Sequence, residues 1–193
     1  SSLVSISASA FENCASLSSV KFSNTSLLQS IGDNAFKSTN LTSIELPASL
    51  PSITSLAFNG CAHLTKISFQ QDSVLKNIGE NAFQSTSLTS IELPASLPSI
   101  TNLTFNGCAH LTKISFHNNS NLTSIGDYAF NSTSLETMEV PMSLKVITTL
   151  AFRGSKKLKT LTFQTASKLK SIEDLAFVGT ALQEIEFPSS LET

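Results

Sequence analysis

The chain has 193 residues, a formal net charge of −2, and 13% charged against 40% apolar residues. It has no basic run, so the electrostatic footprint of a nucleic-acid binder is missing, and no apolar stretch approaches the ~18 residues that a membrane-spanning helix needs. Hydroxyls supply the polarity, with 34 Ser and 20 Thr, while Trp is absent and Tyr128 is the one tyrosine, so stacking platforms for bases or sugars are scarce.

One phrase recurs along the chain. A Phe, usually preceded by Ala, is followed five or six residues later by Leu-x-x-[Ile/Val/Leu/Met]-x-[Phe/Leu/Val]. The Phe residues are Phe11, Phe36, Phe58, Phe83, Phe105, Phe130, Phe152 and Phe177, at gaps of 25, 22, 25, 22, 25, 22 and 25. A fixed period of this length marks a solenoid, in which each unit packs on its neighbours and no separate core is needed. Repetition of this kind builds a surface, which argues for binding rather than catalysis.

The strand phrases run from Leu17–Phe22 and Leu41–Leu46 through Leu64–Phe69, Leu88–Leu93, Leu111–Phe116, Leu135–Val140 and Leu158–Phe163 to Leu182–Phe187. Their last three positions alternate apolar, polar, apolar, the period of a short strand with one face buried. Equal connections of equal sense make these strands parallel. Between them lies a second apolar set that begins Leu28/Ile31, Leu50/Ile53 and Leu75/Ile78 and ends Leu169/Ile172. The ten or so residues available there predict a turn, a short extended piece, and at most one or two turns of 3₁₀ or α-helix around each Ala-Phe. All eight Phe are expected to point inward and form one ladder, worth about 2–3 kcal/mol each.

The 22/25 alternation follows from the residues after each strand. Longer units insert a loop, as in Ser23–Leu27 and Gln70–Val74, whereas shorter units turn at once with Pro47, Pro94 or Pro141, and Pro188 starts another such turn. Proline stops a strand because it has no N–H to give to the ladder. The true period is therefore a 47-residue pair, and residues 40–69 match residues 87–116 at 27 of 30 positions.

The run Leu-Thr-Ser-Ile-Glu-Leu-Pro-Ala-Ser-Leu-Pro-Ser-Ile at 41–53, followed by Ala-Phe-Asn-Gly-Cys-Ala-His-Leu at 57–64, resembles the BspA-type, or spirochaete-type, leucine-rich repeat. The resemblance covers essentially the whole chain. An Ala-Phe-x-Gly-Cys block stands where ordinary leucine-rich repeats carry an Asn ladder. The resemblance implies a right-handed leucine-rich repeat solenoid, α/β in class and mainly β. A short parallel sheet would line its concave face, with loops and short 3₁₀ or α turns on the convex one. It also implies a single domain over residues 1–193 with about eight repeats, set in a cell-surface or secreted protein that adheres to host cells or to matrix proteins such as fibronectin and fibrinogen. It carries no catalytic residues, cofactor or metal. The chain opens at Ser1 inside a repeat, with no initiator Met or signal peptide, and closes at the start of a ninth. Neither end has a polar capping repeat. A fragment of a longer protein is the expectation, with bare ends that tend to associate end to end.

Candidate chemistry is sparse. Cys14, Cys61 and Cys108 are spaced by 47 residues. Strands stack about 4.8 Å apart, which separates these cysteines by roughly 9–10 Å, beyond the ~7 Å that a disulfide can bridge. They are expected to be free, small, buried and structural. Thr39, Thr86, Thr133 and Thr180 fill the same slot in alternate repeats, and Ser155 replaces a fourth cysteine. His63 and His110 share another slot and read, with His117, as surface residues, since ligands two repeats apart cannot converge on one metal. Asp33, Glu80, Asp127 and Asp174 form an acidic column expected to cap the short turns through their side chains rather than bind calcium.

The strand positions facing out of the concave sheet are the candidate binding surface, with Lys21, Glu45, Lys66, Glu92, Lys113, Glu139, Glu184 and Glu186 as the partner-contacting residues. Glu and Lys alternate there and are expected to pair. That face is either a solvated, self-neutralising sheet or a polar docking surface for a protein or glycan. It lacks the Trp, Tyr or Arg anchors of tight interfaces, so affinity would be modest and gained through multivalency. Six N-x-[Ser/Thr] triplets begin at Asn24, Asn40, Asn102, Asn118, Asn121 and Asn131. Of these, Asn24, Asn118 and Asn121 in the longer loops are the plausible glycan sites of a secreted eukaryotic product. Three functional readings remain: an extracellular adhesion module, a structural spacer or self-associating array, and an intracellular scaffold, which would suit free thiols.

Overall fold

In the computed structural model, residues 2–193 are described; Ser1, where the fragment expectation begins, lies outside them. Successive turns of the chain stack as coils, named one to eight by their Phe. The strands are β1 (Ser5–Ile6), β2 (Ser30–Ile31), β3 (Ser43–Leu46), β4 (Ser52–Ile53) and β5 (Lys66–Phe69). Next come β6 (Asn77–Ile78), β7 (Ser90–Leu93), β8 (Ser99–Ile100), β9 (Lys113–Phe116) and β10 (Ser124–Ile125). The last are β11 (Thr137–Val140), β12 (Val146–Ile147), β13 (Thr160–Phe163) and β14 (Ser171–Ile172). Every pairing is parallel. The fold is the parallel β-solenoid that the period implied.

Each coil is fastened to the next along three lines. The two-residue strands form rows β1-β2-β4-β6 and β8-β10-β12-β14, and the four-residue strands form β3-β5-β7-β9 and β11-β13. The third line runs through the Phe turns. There the N–H groups two residues before the Phe, at the Phe, and two after it donate to carbonyls of the following coil. Leu56 donates to Glu80 at 3.0 Å, Phe58 to Ala82 at 2.9 Å and Gly60 to Gln84 at 2.9 Å. The alternate N–H groups bond within their own coil: Asn59 donates to Leu56 at 3.0 Å and Cys61 to Phe58 at 3.2 Å.

This alternation needs left-handed backbone at two fixed slots. Two residues before the Phe stand Asn34 (φ 57°), Leu56 (φ 60°), Asn81 (φ 56°) and Leu103 (φ 58°); two after it stand Ser38 (φ 56°), Gly60 (φ 67°), Ser85 (φ 56°) and Gly107 (φ 70°). The expected short helical turns are therefore not helices. Among the described residues no helix occurs, because a left-handed residue on each side of the Phe closes tight turns instead. The acidic column is corrected likewise. The main-chain carbonyls of Asp33, Glu80, Asp127 and Asp174 accept the inter-coil bonds, and among the described residues no backbone N–H is capped by their carboxylates.

Neighbouring Phe rings stack at centroid distances of 5.2–5.7 Å from Phe11 to Phe177. Six are fully buried, but Phe11 is 38% exposed and Phe177 only partly buried, since each covers one side of an end coil. Leu41, Leu64, Leu88, Leu111, Leu135 and Leu158 fill the space between the ladder and the long strands.

The cysteines are free, and two of them lock coils together. Cys61 Sγ donates to the Phe36 carbonyl at 3.0 Å and lies 3.3 Å from Thr39 Oγ1. Cys108 repeats this with Phe83 and Thr86, and Ser155 makes the oxygen version with Phe130 and Thr133. Burial pushes the Cys108 thiol up to about 11, against the opposing hydrogen bonds of Thr86. Cys14 is exposed, contrary to expectation, because no preceding coil lies over it in this chain. A native sample treated with iodoacetamide at pH 8 should gain a single adduct, on Cys14, and gain the other two only after denaturation. Mass spectrometry of tryptic peptides reads this directly.

Candidate functional site

The long strands bury Ile44, Ile67, Ile91, Ile114, Met138 and Leu161 and present the positions on either side to solvent. Their pairing is uneven. Within β3–β5, β7–β9 and β11–β13 all four residues are in register, for example Ser43 with Lys66 and Glu45 with Ser68. Between β5 and β7 only Lys66 and Ser90 pair, and β9 and β11 are not joined in one sheet.

Proline explains the difference. At a tight junction the residue after the strand donates to the coil before: Gln70 N–H to Leu46 O at 2.9 Å, and Gln164 N–H to Val140 O at 3.2 Å. The equivalent residues of the even coils are Pro47, Pro94 and Pro141, which have no N–H to offer the carbonyls of Phe22, Phe69 and Phe116. The strands stay pinned at their start and splay at their end. Even the pinned end is longer at loose junctions, with Thr89 N to Thr65 O at 3.2 Å and Glu136 N to Thr112 O at 3.5 Å, against 3.0 Å for Thr65 to Thr42. The expected strands at Leu17–Phe22 and Leu182–Phe187 fail for the same reason. Each would face its one neighbour across a loose junction, so the first keeps a single bridge, Ser19 to Ser43, and the last forms none.

Two of the splays, at Pro94 and at Pro141, open grooves. The first, about 1130 Å³, lies between β5 and β7 and is lined by Lys66, Phe69, Asp72, Glu92 and Pro94, with His117 and Asn119 from the coil beyond. The second, about 610 Å³, lies between β9 and β11, with Lys113, Phe116, Glu136, Glu139 and Gln164 around it. Of the eight candidate residues, Lys66 and Glu92 thus share one groove and Lys113 and Glu139 the other. Lys21 and Glu45 flank the first loose junction, and Glu184 and Glu186 sit on the last coil, away from both grooves. All eight are exposed.

The expected Lys–Glu pairing across the sheet does not form. Among the described residues the ion pairs are Lys37–Glu12 and Lys170–Glu192, neither of them on this face. Register is the reason. Lys66 opposes Ser43 and Ser90, and Glu92 opposes Ser115, so lysines and glutamates occupy different rungs. The groove walls hold side chains the strand pattern alone does not single out, above all Phe69, Phe116, Asp72 and Gln164. Their signal is the inserted loop on one coil and the proline on the next.

Among the described residues no three His, Cys, Asp or Glu side chains are grouped to hold a metal ion, and no helix is long and apolar enough to cross a membrane. If proline sets the splay, Pro94→Ala supplies the missing donor to the Phe69 carbonyl. Exchange of the new amide at position 94, followed by NMR, should then be slowed by about a hundredfold; fast exchange would mean the splay has another cause.

The sequence pattern of one family, described as the BspA type leucine rich repeat region in six copies, matches residues 1–77 and 76–193. The chain belongs to the BspA-type leucine-rich repeat family. Comparison with curated proteins returned no match. Among solved structures, this BspA-type chain is similar to the pneumococcal vaccine antigen PcpA, with 21% identity and a TM-score of 0.50 over 97% of this chain and 57% of that one. It is also similar to a leucine-rich cell surface protein of Faecalibacterium prausnitzii, with 21% identity and a TM-score of 0.54 over 85% and 66% of the two chains. The chain thus spans 57% and 66% of those proteins, and the likeness concerns the fold.

Proposed function

We propose that this chain is a non-catalytic interaction and adhesion module of a longer cell-surface protein, binding a host or matrix protein along its long-strand face. The observation that carries this reading is the pair of like grooves, one double coil apart, whose lysines and glutamates have no ion-pair partner among the described residues. Unpaired charges of both signs beside a half-buried Phe suit a polar protein surface, and two equivalent grooves let a weak contact be made twice. Membership of the BspA-type family and a fold shared with a bacterial cell surface protein support the location. Eight stacked Phe rings would equally suit a stiff spacer, which is the second reading.

The test is surface plasmon resonance against immobilised fibronectin and fibrinogen. The wild-type chain is compared with a variant carrying Lys66→Glu, Glu92→Lys, Lys113→Glu and Glu139→Lys, which keeps the net charge. Saturable binding that weakens at least about tenfold in the variant supports docking on this face. Binding by neither protein favours the spacer.

A further inference from the structure

Contrary to the expectation of no basic run, the small net charge hides a local concentration. Seven of the twelve Lys and Arg residues fall between positions 145 and 170. Four of them, Arg153, Lys156, Lys157 and Lys159, lie within seven residues on the turn and lead-in of β13, and all four are exposed. None has an ion-pair partner among the described residues, although the Lys159 N–H donates to the Glu136 carbonyl at 2.9 Å, which makes Glu136 a backbone neighbour.

The repeat itself provides the reference for these positions. In coils three and five the same slots hold Asn59 and Asn106, Ala62 and Ala109, His63 and His110, and Thr65 and Thr112. Coil seven keeps the buried framework of the phrase, with Ala151, Phe152, Ser155, Leu158 and Leu161 all in the core. All four exposed slots have changed to cations while the packing beneath is retained. Packing and solubility do not require this, since the sister coils manage without it.

We propose that this edge of coil seven binds a linear sulfated polysaccharide. Four cations held by a rigid turn match closely spaced sulfate groups, and long Lys and Arg stems reach such groups without a shaped pocket. The segment contains no aromatic side chain on which a base could stack, nor an aromatic anchor for a folded protein partner, so a flexible polyanion is the favoured occupant. The site is separate from the two grooves and does not depend on what they bind.

The experiment uses the whole chain on a heparin column at about 0.15 M salt, where weak surface attractions are largely screened. One variant returns the edge to its sister coils: Arg153→Asn, Lys156→Ala, Lys157→His and Lys159→Thr. These residues already fit the same slots, so circular dichroism and the melting midpoint should be unchanged. A second variant, Lys76→Gln, Lys145→Gln, Lys168→Gln and Lys170→Gln, removes as much charge elsewhere. Retention of the wild type and the second variant, with affinity lowered at least about tenfold in the first, is the expected result. Failure of the wild type to bind, or equal losses in both variants, overturns the proposal. So does equally tight binding of unsulfated hyaluronate or of a DNA oligonucleotide, the latter meaning a nucleic-acid surface instead.

Discussion

Phe105→Ala should cost about 3–5 kcal/mol, the range for emptying a fully buried aromatic site. The ring is sandwiched between Phe83 at 5.5 Å and Phe130 at 5.4 Å, so its removal strips a stacking partner from two coils at once. The Phe105 N–H to Ala129 O bond holds the backbone at 2.9 Å, which limits how far the coils can close over the void. Phe11→Ala removes the same side chain from a site that is 38% exposed and stacked on one side only. The first substitution should lower the urea midpoint far more than the second. Equal shifts would mean that the ladder is not what holds the coils together.

Gly79→Ala is the second large effect, expected at about 3 kcal/mol from backbone overlap. A Cβ there would lie 2.4 Å from the Ser55 nitrogen and 2.5 Å from the Thr54 carbonyl carbon. Both belong to the main chain of the coil before and cannot swing aside. Gly107→Ala makes the useful contrast. Its Cβ would meet only the Ser85 hydroxyl at 3.4 Å, and the cost is the left-handed backbone at φ +70°, about 1 kcal/mol. That backbone is already borne by Ser85 in the same slot (φ 56°). Thermal unfolding followed by circular dichroism separates the two. A Gly79→Ala midpoint no lower than that of Gly107→Ala would show that the coils can separate there at little cost.

Much of this molecule is legible in its repeat, and the rest depends on how one coil meets the next. The Phe spacing and the alternation in the strand phrases lead to the solenoid and its parallel strands. The spacing of the cysteines leads to free thiols. The helical turn is a misreading because Leu56 and Leu103 adopt left-handed backbone that leucine does not favour, held there by bonds to the neighbouring coil. Pro94 is legible as the end of its own strand. Its effect on the strand before, which loses a donor to the Phe69 carbonyl, emerges only with the register between coils. Alternation along each strand therefore identifies the exposed positions, while the division of that face into grooves is not visible in it. Lys66 and Glu92 read as neighbours on one surface, and the rungs that keep them from pairing depend on the same register.

Gly79 pinches coil four against coil three on one side, and Pro94 parts the same two coils on the other. The pairs Gly32 with Pro47 and Gly126 with Pro141 do likewise one double coil away in each direction. In genetic terms, this sets the step by which such a chain can grow or shrink. Excising a single coil would bring face to face two even coils with glycine in this slot, or two odd coils with Thr54, Thr101 or Thr148 there, and leave either a gap or an overlap at the splice. Excising 47 residues keeps glycine coils against their odd neighbours and proline strands against loop strands, so recombination within the gene is expected to preserve the fold best when it moves whole pairs.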